Sequence, residues 1–268
     1  MTPGISAMSR RIYGLHMLMF WWCVGIGIFV FGWMIYSIVR FRRSAGAQPD
    51  TSLVHSTKVE IIWTVIPVLI LISMAVPAAK TLVEGEDATN TQLTIRITGY
   101  QWKWGYEYVD SGVTVLSTLD RASNAARQLQ SGIDPDTVPN YLLNVDNPLV
   151  VPAGVKVRLL ITAQDVIHSW WVPALAIKKD AIPGFVNEAW FLIDADKVGV
   201  YRGQCAELCG RDHGFMPIVI DVRSKADFDA WIKAHQSSGA PAAAPGTPTA
   251  PAPAATQAAA AAAASPAG

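Results

Sequence analysis

The sequence predicts two N-terminal transmembrane helices, then an all-β domain arranged as a sandwich or barrel, then a disordered Ala/Pro-rich tail. Three observations lead there. Residues 15–39 and 61–79 are apolar runs without a single Asp, Glu, Lys or Arg. Residues 92–222 break into short β-rich runs separated by Gly, Pro and Asn/Asp, and from residue 236 onward no side chain is charged. The expected divisions are a 1–14 extracytoplasmic segment, a first span at 15–39, a 40–60 cytoplasmic loop, a second span at 61–79, an outer domain at 80–235 and a tail at 236–268.

The first run, LHMLMFWWCVGIGIFVFGWMIYSIV, has 25 residues. As a helix it reaches about 37 Å, enough to cross a hydrocarbon core of about 30 Å with some tilt. The second, IIWTVIPVLILISMAVPAA, has 19 residues and reaches about 28 Å. Pro67 and Pro77 each remove a helix hydrogen bond, a loss that neighbouring protein can make good inside a membrane. Arg40, Arg42, Arg43 and Lys58 lie in the short connection between the runs, where the positive-inside rule has most force. That connection is therefore expected on the cytoplasmic side and both termini outside. Arg10 and Arg11 pull weakly the other way.

Runs at 93–98, 100–109, 141–145, 155–162, 189–193 and 217–222 read as strands, several with apolar/polar alternation. Many short strands with turn signals point to a sandwich or barrel. A last helix is expected over 225–235. Ser224 with Asp227 gives a start resembling a capping box, and Phe228, Trp231 and Ile232 form an apolar stripe. The segment APAAAPGTPTAPAPAATQAAAAAAASPAG that follows has nothing with which to build a core.

Over 268 residues the 21 basic and 21 acidic side chains cancel, and 51% of residues are apolar. A nucleic-acid binder would show a basic excess, and a disordered chain would be poorer in apolar residues. No nucleic-acid partner is expected; membrane lipid is. The zero is a sum over unlike parts, because residues 1–79 carry +4 and residues 80–235 carry −4.

The densest chemistry lies at residues 201–217, YRGQCAELCGRDHGFMP. Cys205, Cys209, His213 and Met216 offer two thiolates, an imidazole and a thioether, with Glu207 between the thiols. Such soft donors favour copper over Mg²⁺ or Ca²⁺. Two thiolates in one loop could bridge two coppers, hold a zinc or form a redox disulfide. Zinc sites favour a tighter C-x2-C knuckle and make little use of Met, and a disulfide leaves His213 and Met216 unexplained. A copper pair wants a second imidazole, which the loop does not supply. Of the other histidines, His16 lies in the first span, His55 on the expected cytoplasmic side and His235 at the end of the last helix, leaving His168 in DVIHSWWVP.

The loop GQCAELCGRDHGFMP, the segment DVIHSWWVPALAIKKDAIPG, the aromatic segment GYQWKWGYEY at 99–108 and the paired spans closely resemble subunit II of the haem-copper cytochrome c oxidases, over residues 8–233. The resemblance implies a cupredoxin-like barrel outside the membrane, carrying the binuclear copper centre called CuA. It would take electrons from cytochrome c and pass them to the haem of subunit I, where oxygen is reduced to water and protons are pumped. By motif position, Cys205 and Cys209 would bridge two copper ions and His168 and His213 would cap them. Met216 and the backbone carbonyl of Glu207 would be weak axial ligands. The Glu207 side chain would join a Mg²⁺ site shared with subunit I. Partners would be oxidase subunits I and III and a cytochrome c; haem would sit only in the partner subunit; and the location would be a bacterial inner membrane with the copper domain in the periplasm.

The same resemblance assigns Trp102 as the electron entry point and Glu60 as the mouth of a proton channel. The bland alternatives are a strand aromatic and an interfacial acid. Family members usually carry His at Tyr100, an aromatic at Lys103 and often Arg at Phe185. The −4 balance of the outer domain fits steering of a basic cytochrome c, with Asp165 and Asp180 in the docking patch. A quinol oxidase subunit of the same architecture would lack the copper ligands. A membrane-anchored thiol copper chaperone would need a βαβ pattern and would not need Met216.

Overall fold

A computed structural model describes residues 4–48, 52 and 55–237. Two long helices precede the β domain. Helix α1 (Ala7–Arg40) starts at Ser6, whose side chain accepts from the Ser9 backbone N–H while the Ser9 side chain returns to the Ser6 N–H. Helix α2 (Thr57–Gly85) holds both Pro67 and Pro77, and the Thr81 hydroxyl donates to the Pro77 carbonyl at 2.9 Å. At 34 and 29 residues both exceed the apolar runs that announced them, because polar turns at the ends keep helical backbone beyond the hydrocarbon. Trp21, Phe29, Trp33, Leu69 and Leu71 are exposed on them, as lipid-facing or subunit-facing side chains must be.

Among the described residues, ten strands form two five-stranded sheets. The first has the order β3-β2-β1-β5-β8, built from β1 (Leu93–Tyr100), β2 (Lys103–Tyr108), β3 (Val113–Ser117), β5 (Lys156–Ala163) and β8 (Asn187–Leu192). The second has the order β4-β10-β9-β6-β7, from β4 (Leu149–Pro152), β6 (His168–Val172), β7 (Ile177–Ala181), β9 (Gly199–Cys205) and β10 (Pro217–Arg223). Pairing is antiparallel except for β1 with β5 and β4 with β10. Alternation along β5 turns Val157, Leu159, Ile161 and Ala163 inward and Lys156, Arg158, Leu160 and Thr162 outward. These meet Ile95, Ile97, Trp104, Tyr106, Leu149, Ile218 and Ile220 in one core. The buried Tyr108 hydroxyl links the sheets, donating to the Val150 carbonyl at 2.7 Å and accepting from the Val150 N–H at 3.0 Å.

Two short helices finish the domain. Helix α3 (Arg121–Ala126) is capped by the Asp120 side chain, which accepts from the N–H groups of Ala122 and Ser123. Helix α4 (Lys225–Ser237) lays Phe228 and Trp231 against Tyr108, and the Ser224 hydroxyl accepts from the Asp227 N–H at its start. It runs two residues past the expected end; the remainder of the tail lies outside the described residues.

One expected strand is absent. Residues 141–145 form a turn in which Asn140 and Leu142 take positive φ, a backbone that cannot continue a strand; only Val145 makes an isolated bridge, to Leu119. The strands β3, β4, β6, β7 and β9 were not among the expected runs. The N-terminal segment is stitched to the β domain. Ile5 donates its N–H to the Ala174 carbonyl at 3.1 Å, Ser6 bridges Ile193, and Arg10 pairs with Asp194 at 2.5 Å. Arg11 pairs with Glu84 across the two helices. The connection bearing Arg40, Arg42 and Arg43 therefore lies at the far end of the helix pair from the β domain.

Candidate metal centre

Strand register gathers the soft donors at one end of the second sheet. His168 opens β6, Cys205 closes β9 and Met216 immediately precedes β10. Antiparallel pairing sets Trp170 opposite Cys205 and Pro217 opposite Gln204, so all three positions share that end. The loop between β9 and β10 carries Cys209 and, in a single 3₁₀ turn, His213. Cys205, Cys209, His168 and Met216 are buried, and His213 is half-buried.

The distances describe one cluster. Cys205 Sγ lies 3.9 Å from Cys209 Sγ and 4.0 Å from His168 Nδ1. Cys209 Sγ lies 3.6 Å from His213 Nδ1 and 3.5 Å from Met216 Sδ. The Glu207 carbonyl oxygen is 3.3 Å from Cys205 Sγ, and the Glu207 side chain is exposed. The ligand atoms of His168, Cys205 and Cys209 all fall within 4.8 Å of one another. Both thiols are free. At a metal–thiolate bond of about 2.3 Å, two sulfurs at this separation can share an ion between them, so the donors fit a copper site by chemistry and by spacing.

The surroundings tune the donors. His168 Nε2 is 2.9 Å from Asp165 Oδ1; a proton donated there leaves the Nδ1 lone pair aimed at Cys205, the arrangement carboxylates impose on metal-binding histidines. Burial alone would lower the His168 pKa, but its hydrogen bonds to Cys205 and Asp165 outweigh that and raise it. Burial works to raise the Cys205 thiol, yet the His168 hydrogen bond brings it down to about 7. Cys209 is pushed up to about 12 by burial and by the neighbouring Cys205. The Trp104 Nε1–H donates to the Met216 carbonyl at 3.2 Å, and its ring meets the His168 ring edge-on at 5.8 Å.

Trp102 lies against the ligand loop. A Cβ on Gly210 would stand 3.1 Å from its Cζ2, and the Arg211 guanidinium lies 5.4 Å from the centre of its ring. Lys103 Nζ is 5.8 Å from the centre of the Tyr100 ring. Asp165 is engaged inward, accepting also from the backbone N–H groups of Gln101 and Val166, both at 2.7 Å. Asp180 is exposed on β7, opposite Ser169. Phe185 is exposed between β7 and β8. Glu60 stands in the first turn of α2, remote in the chain from the cluster, with Oε1 3.1 Å from His55 Nδ1.

Three contacts at the site escaped sequence reasoning. Trp104 lies in the expected 100–109 run without a role of its own; its inward place in the alternation of β2 was the available signal. Gly99 permits close packing, since a Cβ there would lie 2.8 Å from His168 Cδ2. Gln101 donates from its side chain to the Cys209 carbonyl at 2.9 Å, and nothing in its spacing marks it.

Most of this chain is similar in sequence to known proteins. Residues 93–223 match the family model described as cytochrome c oxidase subunit II, periplasmic domain, and residues 1–81 match that described as the transmembrane domain of the same subunit. The chain is 40% identical over 238 residues to "Probable cytochrome c oxidase subunit 2" of Rickettsia bellii, covering 89% of this chain and 84% of that one. It is likewise 40% identical over 229 residues to cytochrome c oxidase subunit 2 of Chondrus crispus, covering 85% and 87%. Among solved structures, the periplasmic domain of subunit II of cytochrome oxidase (CoxB) of Bradyrhizobium japonicum matches with 39% identity and a TM-score of 0.48, covering 57% of this chain and 99% of that one.

Proposed function

The chain belongs to the cytochrome c oxidase subunit II family and is thus part of a haem-copper oxidase complex, and from that premise we propose that its β domain receives single electrons from a cytochrome c and hands them to the haem of subunit I. The observation that carries this is a chain of close contacts among the soft donors, with His168 and Cys209 at 4.0 and 3.9 Å from the Cys205 sulfur and His213 and Met216 at 3.6 and 3.5 Å from the Cys209 sulfur. In this reading Cys205, Cys209, His168 and His213 would hold two copper ions, with Met216 and the Glu207 carbonyl as weaker donors. The pair would supply one-electron redox chemistry.

The chain's own residues do the rest. The second sheet fixes His168, Cys205 and Met216 at rigid strand ends, so the donor set keeps its geometry when charge arrives. Both sulfurs are largely buried, which suits electron transfer rather than catalysis at the metal. Asp165 holds the His168 tautomer. Trp102, seated on the ligand loop, is the entry point. The exposed Glu207 carboxylate contributes to a Mg²⁺ site completed by subunit I, and Glu60 admits protons at the opposite membrane face. The helix pair anchors the subunit in a bacterial inner membrane, with the β domain in the periplasm, beside subunits I and III.

Copper analysis with EPR on the purified oxidase complex tests the central claim. The expected result is two coppers held by this chain and an unpaired electron delocalised over both, lost in His168→Ala and Cys209→Ala. A single copper, or a copper pair indifferent to His168→Ala, would overturn it.

A further inference from the structure

We infer that Gln101 is a positioning residue for electron entry, a bracket that ties the Trp102 loop to the metal-binding segment on two sides. The inference rests on the electron-accepting role proposed above and deepens it. Gln101 is the residue at which both connections meet. Its backbone N–H donates to Asp165 Oδ2 at 2.7 Å, while Asp165 Oδ1 lies 2.9 Å from His168 Nε2. Its side-chain amide donates to the Cys209 carbonyl at 2.9 Å. One residue therefore reaches a histidine and a cysteine of the cluster from opposite directions, through groups that are not themselves metal donors.

The geometry around it has little slack. Gly210, next to Cys209, takes φ +120, and a Cβ there would come within 3.1 Å of both Gln101 Nε2 and Trp102 Cζ2. The indole and the Gln101 amide thus lie side by side on the Cys209–Gly210 backbone. The Trp102 Nε1 is buried without a hydrogen-bond partner, so the indole is held by packing, by the Arg211 guanidinium 5.4 Å from the centre of its ring and by the adjacent Gln101. On the other flank Gln164 donates its N–H to the Gly99 carbonyl at 3.0 Å, closing the loop against the segment that carries Asp165 and His168. The step served is the passage of one electron: the donor is oxidised by one, the copper pair reduced by one, and no bond is made or broken. Its rate depends on how closely the Trp102 ring is held to the metal-binding backbone.

The test is Gln101→Met, made in the intact oxidase, which keeps the side-chain length and removes the amide N–H. Four readouts separate positioning from other roles: copper content with EPR, KM for cytochrome c, the limiting rate of copper reduction at saturating cytochrome c, and onward transfer to haem after photoreduction that bypasses cytochrome c. The expected result is an intact two-copper EPR signal, unchanged KM, unchanged onward transfer, and a limiting entry rate down by about tenfold, the scale on which outer-shell partners act. Gln101→Ala should show the same pattern and at least as large a fall. An unchanged limiting rate in both variants overturns the inference. So does a change in KM alone, which would make Gln101 a docking residue, or loss of copper, which would make it a structural support of the metal. Failure of the unsubstituted enzyme's copper centre to accept electrons from cytochrome c would instead sink the underlying role.

Discussion

At the scale of single residues, the two cysteines are chemically unequal although they sit four apart. The imidazole of His168 beside Cys205 brings that thiol to about 7, and its negative charge then helps push Cys209 to about 12. A lowered folded-state pKa means more thiolate at neutral pH, so in the metal-free oxidase subunit at pH 8 iodoacetamide should label Cys205 ahead of Cys209. Peptide mass spectrometry reads the order, and His168→Ala should slow Cys205 labelling by removing the partner that favours its thiolate. A second residue-level expectation concerns Gly99. Alanine there would place a Cβ 2.8 Å from His168 Cδ2 and 3.0 Å from Cγ, and the ring cannot yield without breaking its contact to Asp165 or leaving Cys205. Gly99→Ala is expected to alter the copper EPR signal and weaken copper retention about tenfold; an unchanged spectrum would show that the strand, rather than the histidine, gives way.

At the scale of elements, the sandwich makes the site by letting three strands end together, and that is what the sequence concealed. The candidate donors of the loop stood in plain view in 205–216, and the apolar spans were legible because a charge-free run of 19 or more residues has few other uses. Strands β6, β7 and β9 were not legible. His168 and Ser169 in β6, Lys178, Lys179 and Asp180 in β7, and Arg202 and Gln204 in β9 break their apolar pattern, and their stability comes from pairing with neighbours that no local window contains. Residues 141–145 failed in the opposite sense, apolar enough for a strand yet turned by the positive φ of Leu142. Helix α4 was legible from its cap and stripe, and its role is now specific: Phe228 and Trp231 cover Tyr108, whose hydroxyl joins the sheets at Val150. Phe228→Ala is expected to cost about 3 kcal/mol or more of domain stability, measured by denaturant unfolding of the β domain within the complex. Burial also raises the pKa of Tyr106 and Tyr108. Both stay protonated in the folded state where the tyrosines of an unfolded chain ionise, near about 10. Their contribution is therefore complete below that pH and declines as pH rises above it. Tyr108→Phe should flatten this alkaline decline while lowering stability at neutral pH, since it orphans the Val150 N–H and C=O.

At the scale of the whole molecule, the −4 of the outer domain and the +4 of the membrane part do not act equally at the entry site. Screening confines each exposed charge to a reach of about 8 Å at physiological ionic strength, so the charges that meet a donor over Trp102 are its immediate neighbours. The acids there are committed: Asp165 accepts from Gln101 and Val166 and faces His168, and Asp212 lies 3.6 Å from Arg127 and 3.4 Å from Arg211. The cations reach solvent: the Arg211 side chain is 80% exposed although it pairs with Asp212, and the half-buried Lys103 sits over Tyr100. If Trp102 is the entry point proposed above, a donor drawn by the net negative domain would meet a positive rim at the point of contact. For a basic cytochrome c that rim is repulsive, and the double substitution Lys103→Glu with Arg211→Glu, which leaves Arg127 to hold Asp212, should raise the second-order rate of electron entry by about tenfold at low salt. The gain should shrink as salt is added, since it is a steering effect and screening removes it. Stopped-flow oxidation of reduced cytochrome c across an ionic-strength series measures both. A rate that falls instead would mean that the donor presents an acidic face to Trp102, so that Lys103 and Arg211 attract it rather than merely being tolerated.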